Sequence, residues 1–272
     1  MAGYKPRQNN ILTLRRQGKT PLGLMHYTRN PDLLEIAALA GFDFAMIDTE
    51  HCRTDPETLL YLVRTCDACG LTPIVRVGEN NPAQIRAAVE CGARGVIVPH
   101  VLSPEEARSA VRACHYPPIG SCGICPAIRS SNYAQDTWEE YMQWANENIS
   151  LVAMFEDVCA IDQAEAILDE LTPGRDFVHM GLADIANSIL KPGEHVNWKH
   201  PYCAEASEKV LGLCKERGID VMGMPFPKWD LEGANNAIAA GNTILVSYPD
   251  QHLFFDYCKE LIARMSALNE PN

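Results

Sequence analysis

An apolar run, Phe42 to Ile47, breaks off into four polar residues, Asp48, Thr49, Glu50 and His51. The run has the length and composition of a buried strand. Three ionisable groups at its carboxyl end are costly to desolvate without a task. Polar groups also follow or interrupt other apolar runs: Arg76 within Val75-Arg76-Val77, His100, Glu156 and Asp157, Asp184, and Asp250. Two carboxylates, Glu156 and Asp184, converging with Arg76 and a histidine suit a hard divalent cation beside an anionic substrate. Mg2+ and Mn2+ take one or two carboxylates and leave positions for substrate oxygens. An arginine there can hold a carboxylate and neutralise a developing enolate. His51 is the group able to move a proton near neutral pH. Nothing else in the sequence converges on His100 or Asp250, which therefore read as structural.

Positioning such groups requires a scaffold that gathers strand ends. The chain alternates between short apolar runs and longer amphipathic segments. Strands are expected at 21–27, 42–48, 72–77, 95–100, 151–157, 176–181, 219–225 and 242–248. Helix starts are marked by Asn30-Pro31, by Thr54-Asp55-Pro56-Glu57 as a capping box, by Asn81-Pro82, and by Ser103-Pro104 with Glu106. Another is expected from Thr137, with Glu140 completing its box. Gly41, Gly70 and Gly92 close three of the helices. Eight strands alternating with helices, without hairpin signals, imply parallel strands and crossover helices. No GxGxxG follows the first strand, so a closed (β/α)8 TIM barrel is preferred to a doubly wound sheet, as a single α/β domain over 1–272. In that fold the loops after the strands build the active site. Two segments break the rhythm, 117–133 and the polar insert Lys191–Tyr202, and long loops of this kind are usually functional.

Composition narrows the function classes. The net charge of −12 argues against nucleic acid and anionic membrane surfaces as partners. The first twenty residues carry Lys5, Arg7, Arg15 and Arg16 without an apolar stretch, and no run is long enough to span a bilayer. Eleven cysteines, an odd number, fall inside apparent strands and helices, which points to reduced thiols and a cytoplasmic setting. Of the two CxxC pairs, Cys66/Cys69 belongs to a helical pattern, while Cys122/Cys125 lies in a loop without further ligands at zinc spacing. No expected strand contains a lysine, since Lys191 and Lys228 lie in loops, so metal chemistry is favoured over a Schiff base. Walker and GxSxG motifs are also absent.

The ordered set FDFAMIDTEH, PIVRV, GVIVPHV, CHYPPIG, MFED and GLADIANS resembles the HpcH/HpaI family of class II pyruvate aldolases, over roughly residues 20–250. That family is related to 2-dehydro-3-deoxyglucarate aldolase and macrophomate synthase. The resemblance implies that His51 is the general base, acting on the hydroxyl of a 4-hydroxy-2-oxo acid through a metal-bound water. It implies that Arg76 stabilises a pyruvate enolate and that Glu156 and Asp184 bind the divalent metal, Mg2+, Mn2+ or Co2+. The backbone around Gly181, Leu182 and Ala183 would cradle the pyruvate carboxylate. The family's carboxylate that raises the basicity of the histidine aligns with Glu90, where aspartate is usual, and Asp48 is nearer in sequence. The resemblance also implies a homo-oligomer, a hexamer or trimer, in which the last helix, 250–272, is a candidate for exchange between subunits.

Three departures concern the substrate more than the metal. Cys122-Gly123 stands where an Arg-Gly pair is common, with Arg129 further on. Met154 replaces a glutamine two residues before the metal glutamate, and Leu182 replaces a proline. The leading expectation is an enzyme, a metal-dependent carbon–carbon lyase that cleaves a 4-hydroxy-2-oxo acid to pyruvate and an aldehyde. The alternatives are an oxaloacetate-type decarboxylase or macrophomate-synthase-like enolate enzyme, and a barrel retained only for binding.

Overall fold

The computed structural model describes residues 4–52, 54–225 and 228–266. A short helix, α1 (Asn10–Arg16), precedes the first strand. Then follow β1 (Leu22–His26), α2 (Asp32–Ala40), β2 (Phe44–Asp48), α3 (Pro56–Cys69), β3 (Thr72–Arg76), α4 (Pro82–Cys91), β4 (Gly95–Val98) and α5 (Pro104–Cys114). After an irregular stretch come α6 (Trp138–Asn148), β5 (Ser150–Phe155), two short helices α7 (Val158–Asp162) and α8 (Ala164–Leu168), β6 (Phe177–Met180) and α9 (Leu182–Ser188). The chain ends with α10 (Pro201–Arg217), β7 (Asp220–Gly223), α11 (Leu231–Ala240), β8 (Ile244–Pro249) and α12 (Asp250–Met265). All eight strands are parallel and close into a barrel in chain order, as the alternation of segments predicts.

Strand residues alternate between two cores. Phe44 and Met46 point into the barrel with Met25, Ile74, Ile97, Val152, Met154, Phe177 and Met222. Their neighbours Ala45 and Ile47 pack outward against the helices. By the same period of two, Asp48 and Arg76 face inward at the tops of β2 and β3, where they are register partners. The floor is closed by α1, whose Ile11 joins the interior core. Asn10 fastens this helix by donating its side-chain amide to the carbonyls of Asp43 and Gly70.

Most helix starts fall where the sequence marks them. Pro56, Pro82 and Pro104 occupy first-turn positions. Two caps differ. Asp55, not Thr54, caps α3, because its carboxylate reaches the N–H groups of Glu57 and Thr58. Thr137 makes no side-chain cap on α6, and Glu140 instead accepts the backbone N–H of Tyr4. The 117–133 segment is irregular, and Lys191–Tyr202 stays largely so until Pro201 opens α10.

All eleven cysteines are free thiols. Cys66 is core, and Cys122 is buried with its thiol donating to the carbonyl of Ala113. No helix among the described residues is long and apolar enough to cross a membrane. Residues 267–272 of the expected 250–272 segment lie outside the described residues.

Candidate active site

Arg76 is the hub of the barrel mouth. Its Nε donates to Asp48 Oδ1 at 2.5 Å, Nη1 lies 2.9 Å from Glu50 Oε2, and Nη2 donates to the Tyr27 hydroxyl at 2.7 Å. Burial alone would lower its pKa, but the hydrogen bond and charge of Asp48, with Tyr27 and Glu50, raise it, so the guanidinium stays charged. A guanidinium has five N–H groups, so these three contacts leave two for a ligand. Burial pushes the Tyr27 hydroxyl up to about 12, keeping it a neutral donor.

Asp48 is fully committed. Besides Arg76, it accepts the backbone N–H groups of Glu50 at 3.3 Å and His51 at 3.0 Å, which shapes the turn after β2. It makes no ion-pair contact with the His51 ring, so the orienting role expected of it is replaced by a structural one. The carboxylate nearest that ring belongs to Glu50, with Oε2 3.8 Å from His51 Nε2. The ring itself is well exposed at the rim, beside a cavity lined by Tyr27, Thr28, Arg29, Cys52 and Gln251.

Glu90 lies in the last turn of α4 and pairs weakly with Arg86 at 3.8 Å. Barrel helices run antiparallel to the strands, so this turn sits at the amino-terminal end of β4, whereas His51 follows the carboxyl end of β2. Within one chain the two therefore lie toward opposite ends of the barrel and do not form a dyad. Sequence spacing shows the alignment but not which end of the barrel each residue occupies.

Across the mouth, Glu156 is almost sealed, at 2 % exposure. Its Oε1 accepts the backbone N–H of His100 at 2.6 Å. Burial raises its pKa, the contacts with His100 oppose this, and the negative charges of Glu50 and Asp184 raise it further. Gly181 makes this placement possible, since a Cβ there would fall 2.6 Å from Glu156 Cβ and 2.8 Å from Oε2. Asp184 stands in the first turn of α9, without a side-chain partner among the described residues. The N–H groups of Leu182, Ala183 and Asp184 open that turn and have no partner in their own helix.

Two residues to which the sequence assigned no role, His100 and Glu50, belong to this network. His100, held at φ 50°, puts Nδ1 2.9 Å from Asp157 Oδ2 and 3.5 Å from Glu156 Oε1. Its Nε2 lies 3.9 Å from Glu50 Oε1. Burial lowers its pKa, but the three carboxylates outweigh that and raise it. Glu50 thus bridges Arg76, His51 and His100, and burial raises its pKa against the pull of Arg76. A left-handed backbone at a non-glycine residue, which His100 shares among the described residues with Asn132 and Tyr133, is a local signal of strain, and such strain collects at functional sites.

Arg129 lies far from this network. With Arg7 and Arg94 it is spent on Asp67, and it also donates to the Cys91 carbonyl. It therefore does not replace the arginine missing at 122. Asp250 sits 2.9 Å from His26 in a buried pair joining β1 to α12, in line with its structural reading.

The described residues contain no group of three or more His, Cys, Asp and Glu side chains arranged to hold a metal. Glu156 and Asp184 still offer two hard oxygen donors, and burial chiefly, with the charges of Glu50 and Asp184 adding to it, disfavours an anionic Glu156 that has no cation beside it. That fits a small divalent cation of the Mg2+ type, which takes one or two carboxylates and fills its other positions with water and substrate oxygens.

A family profile described as HpcH/HpaI aldolase/citrate lyase matches residues 22–245. The chain is 31% identical over 259 residues to the 2-dehydro-3,6-dideoxy-6-sulfogluconate aldolase of Pseudomonas putida, covering 94% of this chain and 92% of that protein. It is 33% identical over 217 residues to the hydroxypyruvate/pyruvate aldolase of Sagittula stellata, covering 79% and 82%. Among solved structures it resembles an HpcH/HpaI aldolase/citrate lyase family protein from Burkholderia cenocepacia, with a TM-score of 0.84, 26% identity, and 95% and 100% coverage.

Proposed function

Since the chain belongs to the HpcH/HpaI aldolase/citrate lyase family, we propose that it is a carbon–carbon lyase that cleaves a 4-hydroxy-2-oxo acid to pyruvate and an aldehyde. The observation that carries this reading is a buried, permanently charged Arg76 at the same barrel mouth as Glu156, whose pKa burial raises, with Asp184 in the first turn of α9. A divalent cation held by Glu156 and Asp184 would act as a Lewis acid toward the keto oxygen. The two free N–H groups of Arg76 would meet the oxygen that gains charge as the C3–C4 bond breaks. His51, at the rim, would take the proton of the C4 hydroxyl, and Glu50 beside it would stabilise the imidazolium that results. The unpartnered N–H groups of residues 182–184 would bind the carboxylate.

The test is pyruvate release from a panel of 4-hydroxy-2-oxo acids, with and without added Mg2+, Mn2+ or Co2+. Glu156→Ala should remove turnover and cation binding together. Full turnover in excess chelator would overturn the reading.

A second reading is decarboxylation of an oxaloacetate-type acid. The exposure of His51, 3.8 Å from its nearest carboxylate, favours it, because that reaction needs no base at the rim. His51→Ala that keeps oxaloacetate decarboxylation while losing hydroxy-oxo acid cleavage would assign both activities to one enolate centre.

Self-association is part of the proposal. The face of α12 bearing Phe254, Phe255, Ile262 and Met265 is exposed, and a second copy is the occupant we assign to it. A glutamate at 90 could approach a histidine at 51 only between copies.

A further inference from the structure

His179 is a buried titratable residue that the steps above do not use. It lies on β6 at an inward position, 5 % exposed, with Met154 as its register partner on β5 and Met222 on β7. Its Nδ1 lies 2.9 Å from the Met222 carbonyl oxygen. A carbonyl only accepts, so Nδ1 carries the proton. Burial and the nearby Arg76 charge, against that hydrogen bond, bring its pKa down to about 4, and the ring is neutral at pH 7. Nε2 is then a bare acceptor. It has no partner among the described residues, yet it is not among the sealed unpaired atoms. Below it the interior is closed by Phe177 and the rest of the apolar core, so Nε2 opens upward, toward the mouth.

An unpartnered acceptor between two methionines asks for a donor from outside the protein. The Arg76 guanidinium disfavours a cationic donor such as an ammonium. Carboxylate and keto oxygens carry no proton to give. A hydroxyl remains. Resting on the reading of this mouth as a 2-oxo acid site, we infer that His179 Nε2 accepts a hydrogen bond from a hydroxyl on carbon 3 of the oxo acid, making a 3-hydroxy-2-oxo acid the preferred nucleophile over its unsubstituted counterpart. In aldol addition this hydroxyl stays on the carbon that loses a proton and bonds to the aldehyde carbon. The hydrogen bond to His179 fixes which face of that carbon is presented, and no atom is transferred to the ring.

The test compares wild type, His179→Phe and His179→Gln, the last retaining an acceptor. Binding of hydroxypyruvate and of pyruvate is measured by calorimetry in the presence of Mn2+, separately from turnover. Wild type should favour hydroxypyruvate by about tenfold or more, as expected when a buried acceptor is left unpaired by the analogue lacking the hydroxyl. His179→Phe should bring the ratio close to one, mainly by weakening hydroxypyruvate, and His179→Gln should restore part of it. If His179→Phe does not fold, the wild-type ratio and the response of His179 Nε2 in 15N spectra to hydroxypyruvate decide. Equal wild-type affinities, binding of neither acid, or a ratio untouched by His179→Phe each overturn the assignment. Preserved preference without any cleavage would sink the lyase reading alone.

Discussion

Arg76 Nε lies 2.5 Å from Asp48 Oδ1, and that contact decides what the aspartate can do for its neighbour His51. An acidic residue three positions before a candidate base looks like its orienting partner. Here both carboxylate oxygens are engaged elsewhere, one with the guanidinium and one with the His51 backbone N–H. The aspartate fixes the loop and the arginine, and the ring is left to Glu50.

Asp48→Ala should therefore act first on stability. It leaves a guanidinium, 5 % exposed, without its principal counter-charge. Breaking a buried pair from one side typically costs about 3–5 kcal/mol. Urea denaturation should show a loss near the lower end, since Glu50 still faces Arg76. A loss under about 1 kcal/mol would mean that water reaches the arginine more freely than its burial implies.

Glu50→Gln should act first on activity. It removes the anion shared by Arg76, His51 and His100 while keeping nearly the same shape. A tenfold or greater fall in kcat is expected, on the scale of one acid–base contribution. An unchanged kcat would remove Glu50 from the chemistry.

The contrast between Asp48 and Glu50 marks what the sequence can and cannot carry. Strand positions, the period of two that turns Asp48 and Arg76 inward, and several of the proline-marked helix starts are local properties, legible from consecutive residues. The ion contacts that single out Glu50 and His100 join the ends of β2, β3, β4 and β5, more than a hundred residues apart at the extremes. No local pattern records such a meeting. Glu90 fails for the complementary reason, since a correct alignment does not say that helix ends and strand ends lie at opposite faces. The floor helix α1 was likewise invisible, because a seven-residue helix with two buried residues has too little periodicity to read.

The buried pair of Asp250 and His26 predicts a pH dependence with a definite sign. Burial raises the Asp250 pKa, but the His26 contact and the hydrogen bonds from Tyr27 and Thr28 outweigh it, so the folded value lies below 3.8. A carboxyl depressed on folding adds stability that is present in full above its unfolded value and is lost as pH falls through the folded one. Thermal unfolding between pH 5 and pH 2 should show that loss in wild type and a smaller one in Asp250→Asn. At pH 7 the variant should be less stable by about 1–3 kcal/mol, the usual cost of disturbing a buried hydrogen-bonded charge.

Self-association through α12 can be read from mass in solution. Exposed side chains such as Phe254 and Ile262 rarely persist as a contiguous patch on a monomer. Light scattering after size exclusion should give an oligomer for wild type and a smaller species for the double variant Phe254→Lys, Ile262→Glu. A monomeric wild type at micromolar concentration would remove the second copy from the proposal.

Gly181 offers the most specific test of the metal side. Its φ of −92° is ordinary, so any residue could adopt this backbone, and alanine brings no conformational penalty of the left-handed kind. The obstacle is steric alone: the added Cβ meets Glu156 Cβ at 2.6 Å and Oε2 at 2.8 Å. Glu156 directly follows β5, whose last residue Phe155 pairs with Met180 of β6, so the backbone there resists moving and the carboxylate must swing instead. Its hydrogen bond from the His100 N–H then breaks, and the separation from Asp184 changes. Gly181→Ala should keep the barrel, by circular dichroism, while weakening Mn2+ binding and turnover in parallel by about tenfold or more, as displaced ligand geometry commonly does. Loss of turnover with unchanged Mn2+ affinity would place Glu156 outside the cation site and make its contact with His100 the feature that matters.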